Sequence, residues 1–165
     1  MLKRNLPKIL FIISSVFLWT SCDSNRVYEE FTNLDAEGWN ADVKPSFSVS
    51  IDDTAAAYNL IFHVRNHKDY PYRNVWVSVQ TQYPDGSVSL DSMNLFLSDE
   101  NGRELGKCSS GMCENAFFMN KRGPVKFPYN GTYNFTFEHL MRTDNKVLPH
   151  ISNIGLRVEK ATNNK

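Results

Sequence analysis

Pro45-Ser46-Phe47-Ser48-Val49-Ser50-Ile51 is the stretch that decides the fold. Apolar side chains at 47, 49 and 51 alternate with three serines, and a period of two puts the first set on one face of a strand and the second on the other. Downstream the same period recurs. Tyr58, Leu60, Phe62 and Val64 share a face, with Asn59, His63 and Arg65 opposite, and Val75, Val77 and Val79 form the next apolar row. Pro84-Asp85-Gly86 is a turn, because Pro presets φ and Gly accepts positive φ. Val88 and Leu90, then Met93, Leu95 and Leu97, read as further strand residues, and 98–102 as a polar turn. Phe117-Phe118, Val125-Lys126-Phe127 and Tyr133-Asn134-Phe135-Thr136-Phe137 are three more strands, the last two parted by a turn at Asn130-Gly131. Residues 138–144 read as a single helical turn, and Ile154, Leu156 and Val158 as the closing strand. About eight or nine short strands without a long helix predict an all-β, antiparallel β-sandwich over residues 45–160, with 161–165 as a disordered tail.

Upstream the pattern changes twice. Residues 22–44 read as an arm in which Val27, Phe31 and Leu34 stand at near-helical spacing, open to one or two docked helical turns or to a partly ordered tether. Before it, Lys3, Arg4 and Lys8 precede an apolar run from Ile9 to Trp19 and then Thr20-Ser21-Cys22. That run has signal-peptide length and is too short for a permanent membrane span. Small residues directly before Cys22 mark it as a lipidation site, despite Trp19 where a branched aliphatic is usual. Residues 1–21 are thus read as a cleaved lipoprotein signal peptide. The two or three acyl chains on such a cysteine hold a protein at the membrane where a single chain would not.

The 165-residue chain carries 18 basic and 18 acidic residues; without Lys3, Arg4 and Lys8 the balance is 15 against 18, or −3. A weakly acidic chain without a basic run is a poor partner for nucleic acid, and no such partner is expected. Cys108 and Cys113, separated by Ser109-Ser110-Gly111-Met112, form a candidate disulfide outside the cytoplasm; two free thiols remain the competing reading.

Catalytic chemistry is not legible. No Gly-x-Ser-x-Gly elbow or phosphate loop occurs, and Asp52, Asp53, Asp91, Glu138 and Glu159 are too scattered to pair as acid and base. His63 and His67 sit four apart on a strand, too far to grip one ion, and 99–102 lacks the acid that completes a calcium loop. The expectation is no catalytic residue, no metal and no cofactor. Asn130-Gly131-Thr132 and Asn134-Phe135-Thr136 match the N-linked sequon but read as turn and strand.

The run from Cys22 to Phe31, 47–51, Asp69-Tyr70-Pro71-Tyr72-Arg73-Asn74-Val75-Trp76, the 84–86 turn, 102–107, 131–135 and 154–160 together resemble the gliding motility lipoprotein GldH family of Bacteroidota, over essentially all of 22–160. The resemblance implies a non-catalytic accessory or scaffold protein of the cell envelope, tied to gliding and to type IX secretion. It implies a lipid anchor, expected in the outer membrane, and other envelope proteins as partners. Asp53-Thr54-Ala55 and Asp91-Ser92-Met93 resemble the O-glycosylation acceptor of such envelopes, which makes Thr54 and Ser92 candidate sites at strand ends. The loop 69–74 offers Tyr70, Tyr72 and Arg73 as a candidate interface, since Tyr and Arg supply large contact area and a planar donor fork; a structural cap is the alternative. A second functional class is a carbohydrate-binding sandwich that stacks sugars on Trp39, Tyr70, Tyr72 and Trp76, although Trp76 reads more readily as core.

Overall fold

The computed structural model describes residues 24–162. Cys22, the 1–21 segment and 163–165 lie outside them. Eleven strands run in chain order: β1 (Arg26–Asn33), β2 (Trp39–Asn40), β3 (Ser46–Ile51), β4 (Tyr58–His67), β5 (Asn74–Gln82), β6 (Val88–Phe96), β7 (Lys107–Ser109), β8 (Met112–Phe118), β9 (Gly131–His139), β10 (Val147–Leu148) and β11 (Ile151–Lys160). They form a five-stranded sheet, β1-β11-β4-β8-β7, a four-stranded sheet, β3-β9-β5-β6, and a short β2-β10 pair, with every pairing antiparallel. The chain is all-β, as the alternation predicts, and no helix occurs among the described residues.

The apolar rows face each other across the two sheets. Phe62 of β4 stacks on Phe137 of β9 at 4.5 Å between centroids, and Phe47 meets Phe137 edge-on at 5.8 Å. Phe47, Phe62, Val64, Val75, Val77, Phe137, Ile154, Leu156 and Val158 have no exposed surface. Burying each such side chain stabilises by roughly 1.5–3 kcal/mol, so this layer holds the sheets together.

Four readings are corrected. The helical turns around Val27, Phe31 and Leu34 are absent: 26–33 is strand β1, paired with β11 from Arg26↔Glu159 to Asn33↔Asn153. The boundary at residue 45 therefore falls inside the fold, since β1 and β2 precede it. The turn of helix at 138–144 is likewise absent; β9 runs to His139 and a bend at 144–146 leads into β10. Val125-Lys126-Phe127 alternates but makes only an isolated bridge, Tyr58↔Val125, though Phe127 is buried. Val88 and Leu90 are strand residues as read, but they lie on the outward face of β6, Leu90 71% exposed, because Met93 and Leu95 set its inward phase.

Two glycines allow close approaches. Phe31 lies across Gly155 on the outer face of the five-stranded sheet, where a Cβ would come within 2.4 Å of the Phe31 ring. Gly38 has φ 126°, and a Cβ there would stand 2.2 Å from the Leu148 carbonyl oxygen, so it lets β2 lie against β10. That pairing seats Trp39, fully buried, with its indole N–H donating to the Val43 carbonyl at 3.0 Å.

Candidate functional site

The two ends of the sandwich differ. β1 begins, and β11 finishes, at one end, where Lys160 N–H donates to the Asn25 carbonyl at 2.8 Å. The chain enters here from the side of Cys22. β4 carries it ten residues, about 33 Å, to the other end, where loop 69–74 crosses from the five-stranded sheet to the four-stranded one. The candidate interface loop is therefore distal to the start of β1.

Within that loop the residues divide. Tyr70 is buried, and its hydroxyl donates to the Asn74 carbonyl at 2.9 Å; burial pushes its pKa up. It is a cap on the sandwich end and offers no contact surface. Tyr72 packs edge-on against it at 5.7 Å and is 38% exposed. The Arg73 carbonyl accepts from Leu97 N–H at 2.9 Å and Ser98 N–H at 3.2 Å, which clamps the loop to the end of β6. Its guanidinium lies 5.0 Å from the Phe96 ring centroid and 3.7 Å from a Glu100 carboxylate oxygen.

Phe96 and Trp76 extend the surface, each 42% exposed. Asn74 pairs with Phe96 and Trp76 with Asn94, so the two aromatics are diagonal neighbours on β5 and β6. Tyr72, Arg73, Trp76 and Phe96 thus make a partly exposed aromatic–arginine patch at the distal end, with Leu140 exposed beside Trp76, whose carbonyl accepts from Leu140 N–H. The expectation that Trp76 is core is overturned. Its outward phase opposite Val75 and Val77 was legible, and what the sequence hid was that the described residues leave this face partly uncovered. Trp39, by contrast, is core and unavailable for stacking.

The outer faces of the two sheets carry different chemistry. On the four-stranded sheet Ser46 pairs with Thr136, Ser48 with Asn134 and Ser78 with Ser92, a mostly uncharged surface bounded by the Lys44–Glu138 ion pair. The five-stranded sheet bears Arg26, Glu29, Arg157 and Glu159 in linked ion pairs, with Arg65–Glu114 bridging β4 and β8. His63 sits among them under Phe31, 5.3 Å between rings, and desolvation lowers its pKa. His139 is buried edge-on to Trp39 at 5.4 Å, and desolvation lowers its pKa too.

Cys108 and Cys113 are directly opposed on β7 and β8, joined in a disulfide with Cα atoms 4.0 Å apart. The intervening Ser110 (φ 51°) and Gly111 (φ 86°) both have positive φ, the geometry of a tight type I′ hairpin. Glu104 lies beside the two sulfurs. Thr54 is exposed in the bend after β3, where the Asp53 carboxylate accepts from Ala55 N–H, Ala56 N–H and Lys160 Nζ. Ser92 is exposed but lies in the middle of β6, not at a strand end. The 99–102 segment is a turn, with Asp99 accepting from the Asn101 and Arg103 N–H groups at 2.9 Å each.

Fold and surface define the class: an antiparallel β-sandwich with a partly exposed aromatic–arginine patch at one end. The family described as GldH lipoprotein matches residues 26–158, from the start of β1 to within two residues of the end of β11. The chain belongs to the GldH lipoprotein family. It is 28% identical to the gliding motility lipoprotein GldH homolog of Christiangramia forsetii over 165 residues, covering 97% of this chain and 99% of that protein. It is 24% identical to the gliding motility lipoprotein GldH of Flavobacterium johnsoniae over 156 residues, covering 92% and 94%. Membership of this family places it among lipid-anchored proteins of the cell envelope.

Proposed function

We propose that this chain is a non-catalytic accessory protein of the gliding machinery, linked to the type IX secretion apparatus and held to the outer membrane through lipidated Cys22. In this reading the sandwich is a spacer. The anchor holds one end, and the patch of Tyr72, Arg73, Trp76 and Phe96 at the other engages an envelope protein. The observation that carries it is the position of that patch, about 33 Å along β4 from the end where the N-terminus enters. Aromatic and arginine side chains are the types that dominate binding energy at protein interfaces. The test is recovery of partners from detergent-solubilised envelope with wild-type protein and with the Arg73→Ala, Trp76→Ala double variant. Equal recovery with both would refute the patch.

A second reading, a carbohydrate-binding sandwich, is favoured by one observation: Trp76 stands exposed on the serine-, threonine- and asparagine-rich face of the four-stranded sheet. Hydroxyl and amide side chains around an exposed indole suit a neutral glycan. It needs saturable binding of a neutral polysaccharide that Trp76→Ala abolishes. Of the two modification candidates, Thr54 has the better presented hydroxyl, on an exposed bend outside any strand.

A further inference from the structure

The inward row of β5 and β6 changes character near the anchor-side end. Val79, Met93 and Leu95 are buried, but the next inward positions are Thr81, Ser89 and Asp91, with Thr81 paired to Ser89 and Val79 to Asp91. Apolar Val88 and Leu90 point outward instead. Across from this row the chain has left β8 and runs as the irregular segment 119–128. The core is consequently unfilled at this corner. A cleft of about 570 Å³ opens between the sheets, within the range of roughly 300–1,000 Å³ typical of small-molecule sites.

Its walls and its mouth differ in chemistry. Leu60, Val79, Met93, Met119, Phe127 and Phe135 supply apolar wall. Lys121, Arg122 and Lys126 line the mouth, all exposed, and none makes an ion pair among the described residues. Asp91 is the acid in the lining. A slot that is mostly apolar, with Thr81, Ser89 and Asp91 along one side and three unpaired cations at its mouth, fits a molecule with a long apolar body and an anionic head. The body leaves water, and the head meets positive charge without entering the slot.

The cleft also lies at the end of the sandwich where β1 begins. Val125 N–H donates to the Tyr58 carbonyl, Ala161 N–H to the Ala57 carbonyl and Lys160 N–H to the Asn25 carbonyl, so segment 119–128, β4, β11 and the N-terminal segment are laced together there. Asn25 is three residues from Cys22, a reach of about 11 Å at most. We infer that this cleft binds the acyl chain of an anionic membrane amphiphile, with Lys121, Arg122 and Lys126 holding its carboxylate or phosphate head. The orientation rests on anchoring through Cys22, whereas the cleft and its charges do not.

The probe is a long-chain fatty acid carrying a photoactivatable diazirine, added to full-length protein purified from membranes in a nonionic detergent. After irradiation, adducts should map to the cleft wall, chiefly the peptides holding Met93, Met119 and Phe127. Excess palmitate should compete and its methyl ester should not. The triple variant Lys121→Gln, Arg122→Gln, Lys126→Gln, with its melting temperature checked, should label at least about tenfold less. Adducts spread over the surface, or equal competition by the methyl ester, would overturn the inference. Labelling should be unchanged in a Cys22→Ala chain. Cleft labelling that appears only in that variant would mean the protein's own acyl chain fills the slot, which also overturns it. Failure of anchoring is read separately, by membrane fractionation, and leaves the labelling result intact.

Discussion

At the scale of single residues, the structure sorts side chains of one type into different tasks. Tyr70 and Tyr72 are two apart in one loop, yet one is sealed under the sandwich end and the other faces water. Tyr70→Ala removes a packed ring and a hydroxyl bonded to the Asn74 carbonyl, so it should destabilise by about 3 kcal/mol or more, lowering the melting temperature by several degrees. Trp76→Ala should move it little, since no part of the inter-sheet core is lost; a loss as large as that of Tyr70→Ala would show that Trp76 is structural after all. The histidines make a second residue-level prediction. His63 and His139 are held below their ordinary pKa by desolvation. The unfolded chain regains an imidazole pKa of about 6.5. Between that value and the lower folded one the unfolded state binds protons that the native state does not, so stability falls as pH drops through the window below about 6.5. Melting temperatures measured from pH 7.5 to pH 5 should decline, and His139→Gln should flatten the decline. Parallel curves for wild type and variant would sink this account. Little of the sorting was legible in the sequence, because residue type does not state burial: Trp76, expected in the core, is partly exposed, whereas Trp39 is buried.

The elements show why most of the fold could be read and some of it could not. β3, β4, β5, β9 and β11 each bury one face against the other sheet, so an apolar residue recurs at every second position along most of each strand, most cleanly in β3 and β9. β1 is an edge strand with only partly buried positions. It has no full apolar row, and Val27, Phe31 and Leu34 imitate a helix. Phe31 is placed by Gly155, more than a hundred residues away, which no local window reports. The corner of β6 misleads for the opposite reason: Val88 and Leu90 alternate well but on the wrong face. At β7 and β8 the spacing of Cys108 and Cys113 was read without the hairpin that sets them opposite each other. A disulfide closing so short a loop is expected to contribute about 2 kcal/mol. Alkylation of denatured, unreduced exported protein should leave both cysteines unmodified until a reductant is added. Ready modification of both without reductant would mean that the hairpin holds free thiols.

For the whole molecule, the function we propose places a lipid anchor at one end of the sandwich and a recognition surface at the other. Family membership and the alternating pattern made the fold class and the envelope setting readable from the sequence. The distal patch was half readable: loop 69–74 was singled out, but Trp76 and Phe96 join it only through strand pairing. The cleft was not readable, because it arises from what β6 and segment 119–128 fail to fill. Replacing Cys22 with Ala should shift the protein out of the membrane fraction and abolish incorporation of labelled fatty acid; unchanged results in both assays would remove the anchor from the account. The most direct test of the central claim keeps the anchor and changes the distal patch alone. Cells carrying Arg73→Ala with Trp76→Ala in the intact, lipidated chain should retain wild-type membrane content and a melting temperature within a few degrees of wild type, yet recover little or no partner from solubilised envelope. If the same partners are recovered at wild-type levels, the patch is not the surface through which this protein works.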